Sequence, residues 1–197
     1  CGATAECSVE YLVQFAYLGS FYASKALGLE RPRVGLLNIG AEDTKGDQLR
    51  RDTYQALKAA GDAGYLNFVG NIEAKDAMKG GCDVIVADGF SGNVMLKTIE
   101  GVGSFLGKEI KAMFLKSLKT KVAALLVKSG LSAFKDRLNP DTIGGTPFLG
   151  LTKPVIKAHG SSGALAIENA IYQAAASAQG NIAAEIEANI DRMKVGP

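Results

Sequence analysis

Residues 84–101, reading Val-Ile-Val-Ala-Asp-Gly-Phe-Ser-Gly-Asn-Val-Met-Leu-Lys-Thr-Ile-Glu-Gly, constrain the fold more than any other stretch of the chain. Residues 84–87 are a short apolar run, the pattern of a parallel strand covered on both faces. Asp88 and Gly89 break that run, and helical spacing resumes from about Asn93. A loop that leaves the carboxyl end of a strand and enters a helix at once is where open α/β sheets hold small charged ligands. Exposed N–H groups of a first helical turn favour an anion there by roughly 0.3–1 kcal/mol. Asp88, Ser91 and Asn93 add polar side chains to the same space.

The layout recurs along the chain. Ser8 is placed to cap a helix whose apolar positions (Leu12, Phe15, Ala16, Tyr22, Ala23, Leu27) run at helical spacing until Gly28. Residues 34–39 read as a strand, residues 40–46 as a polar loop, and a helix follows to about Ala60. Residues 66–69 give a second strand and residues 84–87 a third. Residues 154–158 read as another strand of the same kind, with residues 159–162 as its loop and a helix from Ala164 to about Ala178. A final helix is expected after Gly180. Such alternation predicts right-handed crossovers and a mostly parallel sheet flanked by helices, a three-layer, Rossmann-like α/β domain spanning 1–197. Three polar, glycine-containing loops, 38–46, 88–93 and 159–162, then fall on one sheet edge, and their convergence points to a ligand site.

Composition narrows the function classes. Apolar residues make up 47% and charged residues 21%, ordinary for a soluble globular domain. The net charge of +2 offers nothing to nucleic acid. Cys1, Cys7 and Cys82 have no metal-ligand spacing, and three cysteines fit a reducing cytosol better than a disulfide framework. No run approaches the roughly 20 apolar residues that span a bilayer, and no signal peptide is visible. The chain begins Cys1-Gly2-Ala3 without a methionine, which predicts a piece of something longer.

Residues 104–140 depart from this average. Lys108, Lys111, Lys116, Lys119, Lys121, Lys128, Lys135 and Arg137 face only Glu109 and Asp136, so the remainder of the chain is net acidic. Leu106, Ile110, Met113 and Phe114 share a helical face, with lysines roughly opposite. The stripe drifts beyond Leu118, and Gly130 is placed to turn the chain into a helical hairpin over 104–139 that projects from the domain. Its apolar tip, ringed by Lys121, Lys128 and Lys135, suits a second copy of the chain or an anionic membrane surface; packing on the domain core with solvated lysines is the alternative.

Four ordered motifs carry a resemblance. Residues 33–40 (Arg-Val-Gly-Leu-Leu-Asn-Ile-Gly) with Lys45-Gly46, residues 67–74 (Asn-Phe-Val-Gly-Asn-Ile-Glu-Ala), residues 88–93 (Asp-Gly-Phe-Ser-Gly-Asn) and residues 157–162 (Lys-Ala-His-Gly-Ser-Ser) resemble the PlsX-type phosphate acyltransferases of bacterial phospholipid synthesis. The resemblance covers essentially the whole chain. It implies transfer of a fatty acyl group from acyl carrier protein to inorganic phosphate, forming acyl phosphate. It also implies a homodimer, peripheral association with the cytoplasmic membrane surface through residues 118–137, and no metal or organic cofactor. Members of that family are longer, and Cys1 corresponds to the middle of such a protein.

That chemistry needs phosphate held as a nucleophile and donors aimed at the oxyanion of the thioester carbonyl. Lys45 and Asn93 sit in matched loops and donate hydrogen bonds; the alternatives are a solvated loop lysine and a helix N-cap. Backbone N–H groups around Gly89, Gly92 and Gly160, with the hydroxyls of Ser91, Ser161 and Ser162, suit phosphate. Asn38, Gly46, Asn71 and Glu73 are expected to line the same cleft. Asp88 is expected to orient Lys45 or a backbone turn, since a carboxylate repels phosphate. His159, the only histidine, is either a general base or a hydrogen-bonded structural residue. Ser91 as a covalent nucleophile lacks an evident His–Asp pair. Two rivals stand beside this reading. One is a folded but inert half of the enzyme that dimerises and faces the membrane. The other is a nicotinamide-dependent dehydrogenase, although Gly35 and Gly40 are wrongly spaced for a dinucleotide fingerprint.

Overall fold

The computed structural model describes residue 2, residues 4–137 and residues 142–194, with residues 135–137 described by backbone only. Cys1, the side chains of Lys135, Asp136 and Arg137, and the end of the basic segment at 138–140 therefore lie outside the described residues.

Helix α1 (Val9–Lys25) starts where the sequence places it, with the Ser8 hydroxyl accepting from the Tyr11 amide at 3.2 Å. Strand β1 (Arg33–Asn38) follows, then α2 (Gln48–Asp62), β2 (Asn67–Glu73), the short α3 (Ala74–Ala77) and β3 (Val84–Val86). The three strands form a parallel sheet of order β2-β1-β3, so the chain crosses over β1 to reach β3. Helices flank this sheet, as the alternation predicts. One core holds it together: Leu12, Val13, Ala16 and Tyr17 of α1 pack with Val34 and Leu36 of β1, Leu57 of α2, Val86 of β3, Leu66 and Met193. Each large side chain buried in this way stabilises the fold by about 1.5–3 kcal/mol relative to exposure.

Register is fixed at the amino end of the strands. Asp83 accepts from the Arg33 guanidinium at 2.8 and 3.0 Å and from the Arg33 amide at 2.8 Å. Those bonds hold the Asp83 carboxyl well below its usual range, at about 2. Val34 then pairs with Val84 and Leu36 with Val86. On the other side Leu36 pairs with Asn71 and Asn38 with Glu73. β2 is longer than residues 66–69 suggest. A register shift beside Val34 and Gly35, opposite the positive-φ Gly70, absorbs one residue and lets the strand continue to Glu73. Asn71 and Glu73 are therefore strand residues.

Two expectations are corrected. Residues 154–158 do not join the parallel sheet. Strand β5 (Val155–Ala158) pairs antiparallel with β4 (Gly145–Phe148) in a separate two-stranded sheet, followed by α7 (Ala164–Gln179) and α8 (Ile182–Asn189). A four-residue apolar run carries no signal of which neighbour it pairs with, and β4, with Pro147 inside it, does not read as a strand.

The basic segment also breaks elsewhere than at Gly130. Helix α4 runs over Gly89–Leu115, Ser117 caps α5 (Leu118–Leu126) through a capping box with Thr120, and α6 covers Lys128–Arg137. The Ser117 cap outweighs the glycine, which sits inside α6. Of the 27 residues of α4 only Gly92 is buried, so beyond its first turn the helix stands in solvent. Leu118, Leu125 and Leu126 of α5 are 81%, 71% and 82% exposed.

Candidate functional site

At the carboxyl ends of the parallel strands the loop after β1 and the loop after β3 meet. Asn38 closes β1 and is nearly buried. Its side chain accepts from the Ile39 amide at 2.8 Å and donates to the Lys45 carbonyl at 3.1 Å, which folds residues 39–45 back on the strand. The return requires Gly46. Its φ is +88°, and a Cβ there would lie 2.6 Å from Asn38 Oδ1 and 2.8 Å from Arg50 Cβ. Asn71, one strand over, donates to the Glu42 carbonyl at 2.7 Å from the other side of the loop. Its Oδ1 is buried without a partner among the described residues. The Lys45 side chain, at the returning end of the loop, is exposed, lies against Gly40 and forms no ion pair among the described residues. Asn38, Gly46, Asn71 and Lys45 are thus brought together. Glu73 ends β2 beside Asn38 but pairs with Lys75 at 2.8 Å.

The loop after β3 differs from the sequence reading in one respect that matters. Helix α4 begins at Gly89, capped by Asp88, four residues before Asn93. Asp88 Oδ1 accepts from the amides of Phe90 at 2.9 Å and Ser91 at 2.7 Å. The Gly89 amide donates to the Thr4 carbonyl at 2.8 Å, and the Gly92 amide to the Asp88 carbonyl at 3.1 Å. Every N–H of this first turn is therefore engaged within the protein, and none is an exposed anion donor. Two glycines made residues 88–92 look like a loop, but Gly89 is there for a different reason. A Cβ on it would lie 2.5 Å from the Thr4 carbonyl oxygen and 2.6 Å from that of Gly2. Asn93 falls in the second turn and is exposed, a helix residue and not a cap.

Asp88 does not orient Lys45. Its carboxylate, 5% exposed, forms an ion pair with Arg50. Burial pushes the Asp88 carboxyl up, but hydrogen bonds from the Ser91 amide and side chain, the Arg50 charge and the Phe90 amide outweigh it and leave the group below its ordinary value. Arg50 also donates to Asp47, the N-cap of α2, at 2.7 Å and to the Ser91 hydroxyl at 3.1 Å. The sequence reading missed Arg50. One signal was available: a cation in the first turn of a helix opposes the macrodipole, which singles out Arg50 as a residue held there by other contacts.

The third loop stands apart. His159 and Ser161 are exposed after β5, outside the parallel sheet. His159 Nδ1 lies 2.7 Å from Ser161 Oγ and accepts from the Ser161 amide at 3.3 Å; Ser162 closes the turn through its amide on the His159 carbonyl at 3.0 Å. Among the described residues no hydrogen bond joins His159, Gly160, Ser161 or Ser162 to residues 38–46 or 88–93. Cys82 is half-buried beneath Gly35, and burial pushes its thiol up, away from the reactive thiolate. Among the described residues no three His, Cys, Asp or Glu side chains gather as metal ligands would, and no helix is long and apolar enough to cross a membrane.

The family described as fatty acid synthesis protein matches residues 1–185. The chain belongs to this family. The resemblance to PlsX-type phosphate acyltransferases read from the four motifs is borne out by its relatives. A phosphate acyltransferase of Brevibacillus brevis is 45% identical over 195 residues, covering 99% of this chain and 57% of the relative. One from Lysinibacillus sphaericus is 49% identical over 173 residues, covering 88% of this chain and 51% of the relative. One from Clostridium acetobutylicum is 43% identical over 192 residues, covering 98% and 57%. The chain spans little more than half the length of these curated relatives.

Proposed function

We propose that the chain carries the phosphate and oxyanion groups of a phosphate acyltransferase that moves a fatty acyl group from acyl carrier protein to inorganic phosphate. The supporting observation is the meeting of the Lys45 loop and the first turn of α4 at the ends of two adjacent parallel strands, in a chain whose relatives bear that name. A phosphate oxygen attacks the thioester carbonyl carbon, the C–S bond breaks, and the thiolate leaves and takes up a proton. The products are acyl phosphate and the free carrier thiol. Lys45 and Asn93 donate to the carbonyl oxygen as it becomes negative; one such donor is typically worth about 2.7–4 kcal/mol. With the α4 amides engaged and the Ser91 hydroxyl donating to Asp88, phosphate is held by side chains: Lys45, and Ser161 and Ser162 of the third loop. His159 Nδ1 already accepts from Ser161, so in the neutral ring Nε2 carries the hydrogen, which favours donation to phosphate over proton abstraction. Phosphate near neutral pH is nucleophilic without a base, and the reaction as proposed uses no metal or organic cofactor.

The proposed setting is a homodimer held peripherally on the cytoplasmic face of the membrane. Residues 118–137 support it. Leucines at 118, 125 and 126 are largely exposed beside lysines. Each lysine contributes about 1 kcal/mol at an anionic surface, and each leucine about 1.5–3 kcal/mol when it leaves water. The same lysines suit an acidic carrier protein. The test is release of carrier thiol from acyl-carrier protein by this chain, with and without phosphate. The proposal expects phosphate-dependent release that falls at least tenfold in Lys45→Ala. A folded dimer that binds vesicles yet releases no thiol favours the second reading, an inert membrane-facing half, for which the exposed Phe90 and Phe105 on α4 speak.

A further inference from the structure

We propose that Arg50 is a positioning residue for phosphate: it locks the Lys45 loop to the first turn of α4 so that Lys45 and Asn93 are held towards one anion. The inference rests on the phosphate acyltransfer reading. Arg50 lies at the third position of α2, at the positive end of the helix, where a cation is disfavoured. Its guanidinium is only 18% exposed and bridges the N-caps of two helices, Asp47 of α2 and Asp88 of α4, while a third bond reaches Ser91. The guanidinium fork makes this possible, since one terminal nitrogen reaches Asp47 and the other Asp88 and Ser91. On its other side Arg50 Cβ abuts Gly46, with no room for a Cβ on the glycine, so the residue after Lys45 rests directly on the clamp.

Asp88 is fully spent in this arrangement. One oxygen takes two amides, the other takes Arg50, and the Ser91 hydroxyl donates to the same carboxylate. It therefore caps and transmits, and it does not contact substrate. The loop after β1 is held by Asn38 and Asn71 from the sheet, and from α2 by Arg51, which donates to the Gly46 carbonyl at 2.5 Å, and by the packing of Arg50 Cβ on Gly46. The loop after β3 is held to the Arg50 guanidinium. Among the described residues no other side-chain hydrogen bond or ion pair joins the two loops.

Arg50→Lys keeps the charge but reaches fewer of the three acceptors. A second variant, Arg50→Gln with Asp88→Asn, removes both charges together, so no buried carboxylate is left unpaired and folding is preserved. The experiment uses the 197-residue chain, with three readouts: titration calorimetry of inorganic phosphate, hydrogen exchange of the Phe90 and Ser91 amides, and KM for phosphate against KM for the acyl thioester. The expected result in both variants is at least tenfold weaker phosphate binding and faster exchange at Phe90 and Ser91. Exchange in α1 should stay unchanged, and only the phosphate KM should rise. Phosphate affinity within twofold of the unaltered chain in both variants, or unchanged exchange at Phe90 and Ser91, overturns the proposal. Failure of the unaltered chain to bind phosphate refutes the acyltransfer reading itself, and this inference with it.

Discussion

Replacing Gly46 by alanine tests whether the Lys45 loop is built as described, because two separate costs meet at that residue. The first is conformational. A residue other than glycine held at φ +88° is strained by about 1–2 kcal/mol. The second is local packing. The new methyl would sit 2.6 Å from Asn38 Oδ1, and Asn38 is held between its bonds to Ile39 and Lys45. Moving it forfeits one of those bonds, at about 0.5–1.5 kcal/mol. The sum is a loss of about 2–3 kcal/mol, which for a chain of this size lowers the Tm by about 4–12 °C. Gly64 provides the control: its φ is +78°, but a Cβ there meets nothing within 4 Å. Gly64→Ala therefore carries the conformational cost alone. Urea unfolding of the two variants beside the unaltered chain gives both numbers. Equal losses at the two positions would refute the claim that Asn38 and Gly46 are packed as a unit.

Acid titration of stability probes the register clamp. The folded Asp83 carboxyl, at about 2, lies below its unfolded value near 3.9, so its contribution is present above pH 4 and is lost as pH falls towards 2. Asp83→Asn should destabilise the chain at pH 6, and the gap should close through that window; a gap independent of pH contradicts the assignment. Truncating Leu57, fully buried in the core, to alanine should cost about 2–5 kcal/mol in denaturant unfolding. Gly107 lies in the solvent-exposed part of α4 with open space around it, so Gly107→Ala should raise stability or helicity by about 0.8–1 kcal/mol, read by the same unfolding curves and by circular dichroism. Leu125→Asp with Leu126→Asp should weaken co-sedimentation with anionic vesicles at least tenfold without changing the Tm; undiminished binding removes α5 from the membrane surface.

The parallel sheet and its loops were legible because each rests on a local signal. Residues 34–39 and 84–87 are apolar on both faces, and Ser8 and Gly28 mark the limits of α1 within a few residues. What escaped the sequence reading depends on partners far along the chain. Residues 155–158 look alike whether they pair with β1 or with residues 145–148. Gly89 looks like a helix breaker until the backbone of Gly2 and Thr4 is seen lying against it. The site split along the same line. Asn38 and Asn71, on adjacent strands, gather with Lys45 and Gly46 of the loop after β1. Asp88 and Ser91 gather too, but around Arg50, which is 38 residues from Asp88 in sequence and belongs to a helix that reads as ordinary and amphipathic.

The most direct test of the central claim is to look for the product. The chain is incubated with acyl-carrier protein and 32P-labelled phosphate, then treated with hydroxylamine, which converts an acyl phosphate to the hydroxamate and returns the phosphate. A labelled, lipid-extractable product that hydroxylamine discharges is expected, in step with carrier thiol release and absent in Lys45→Ala. Thiol release without labelled product, or release that ignores phosphate, would show hydrolysis of the thioester and contradict the account.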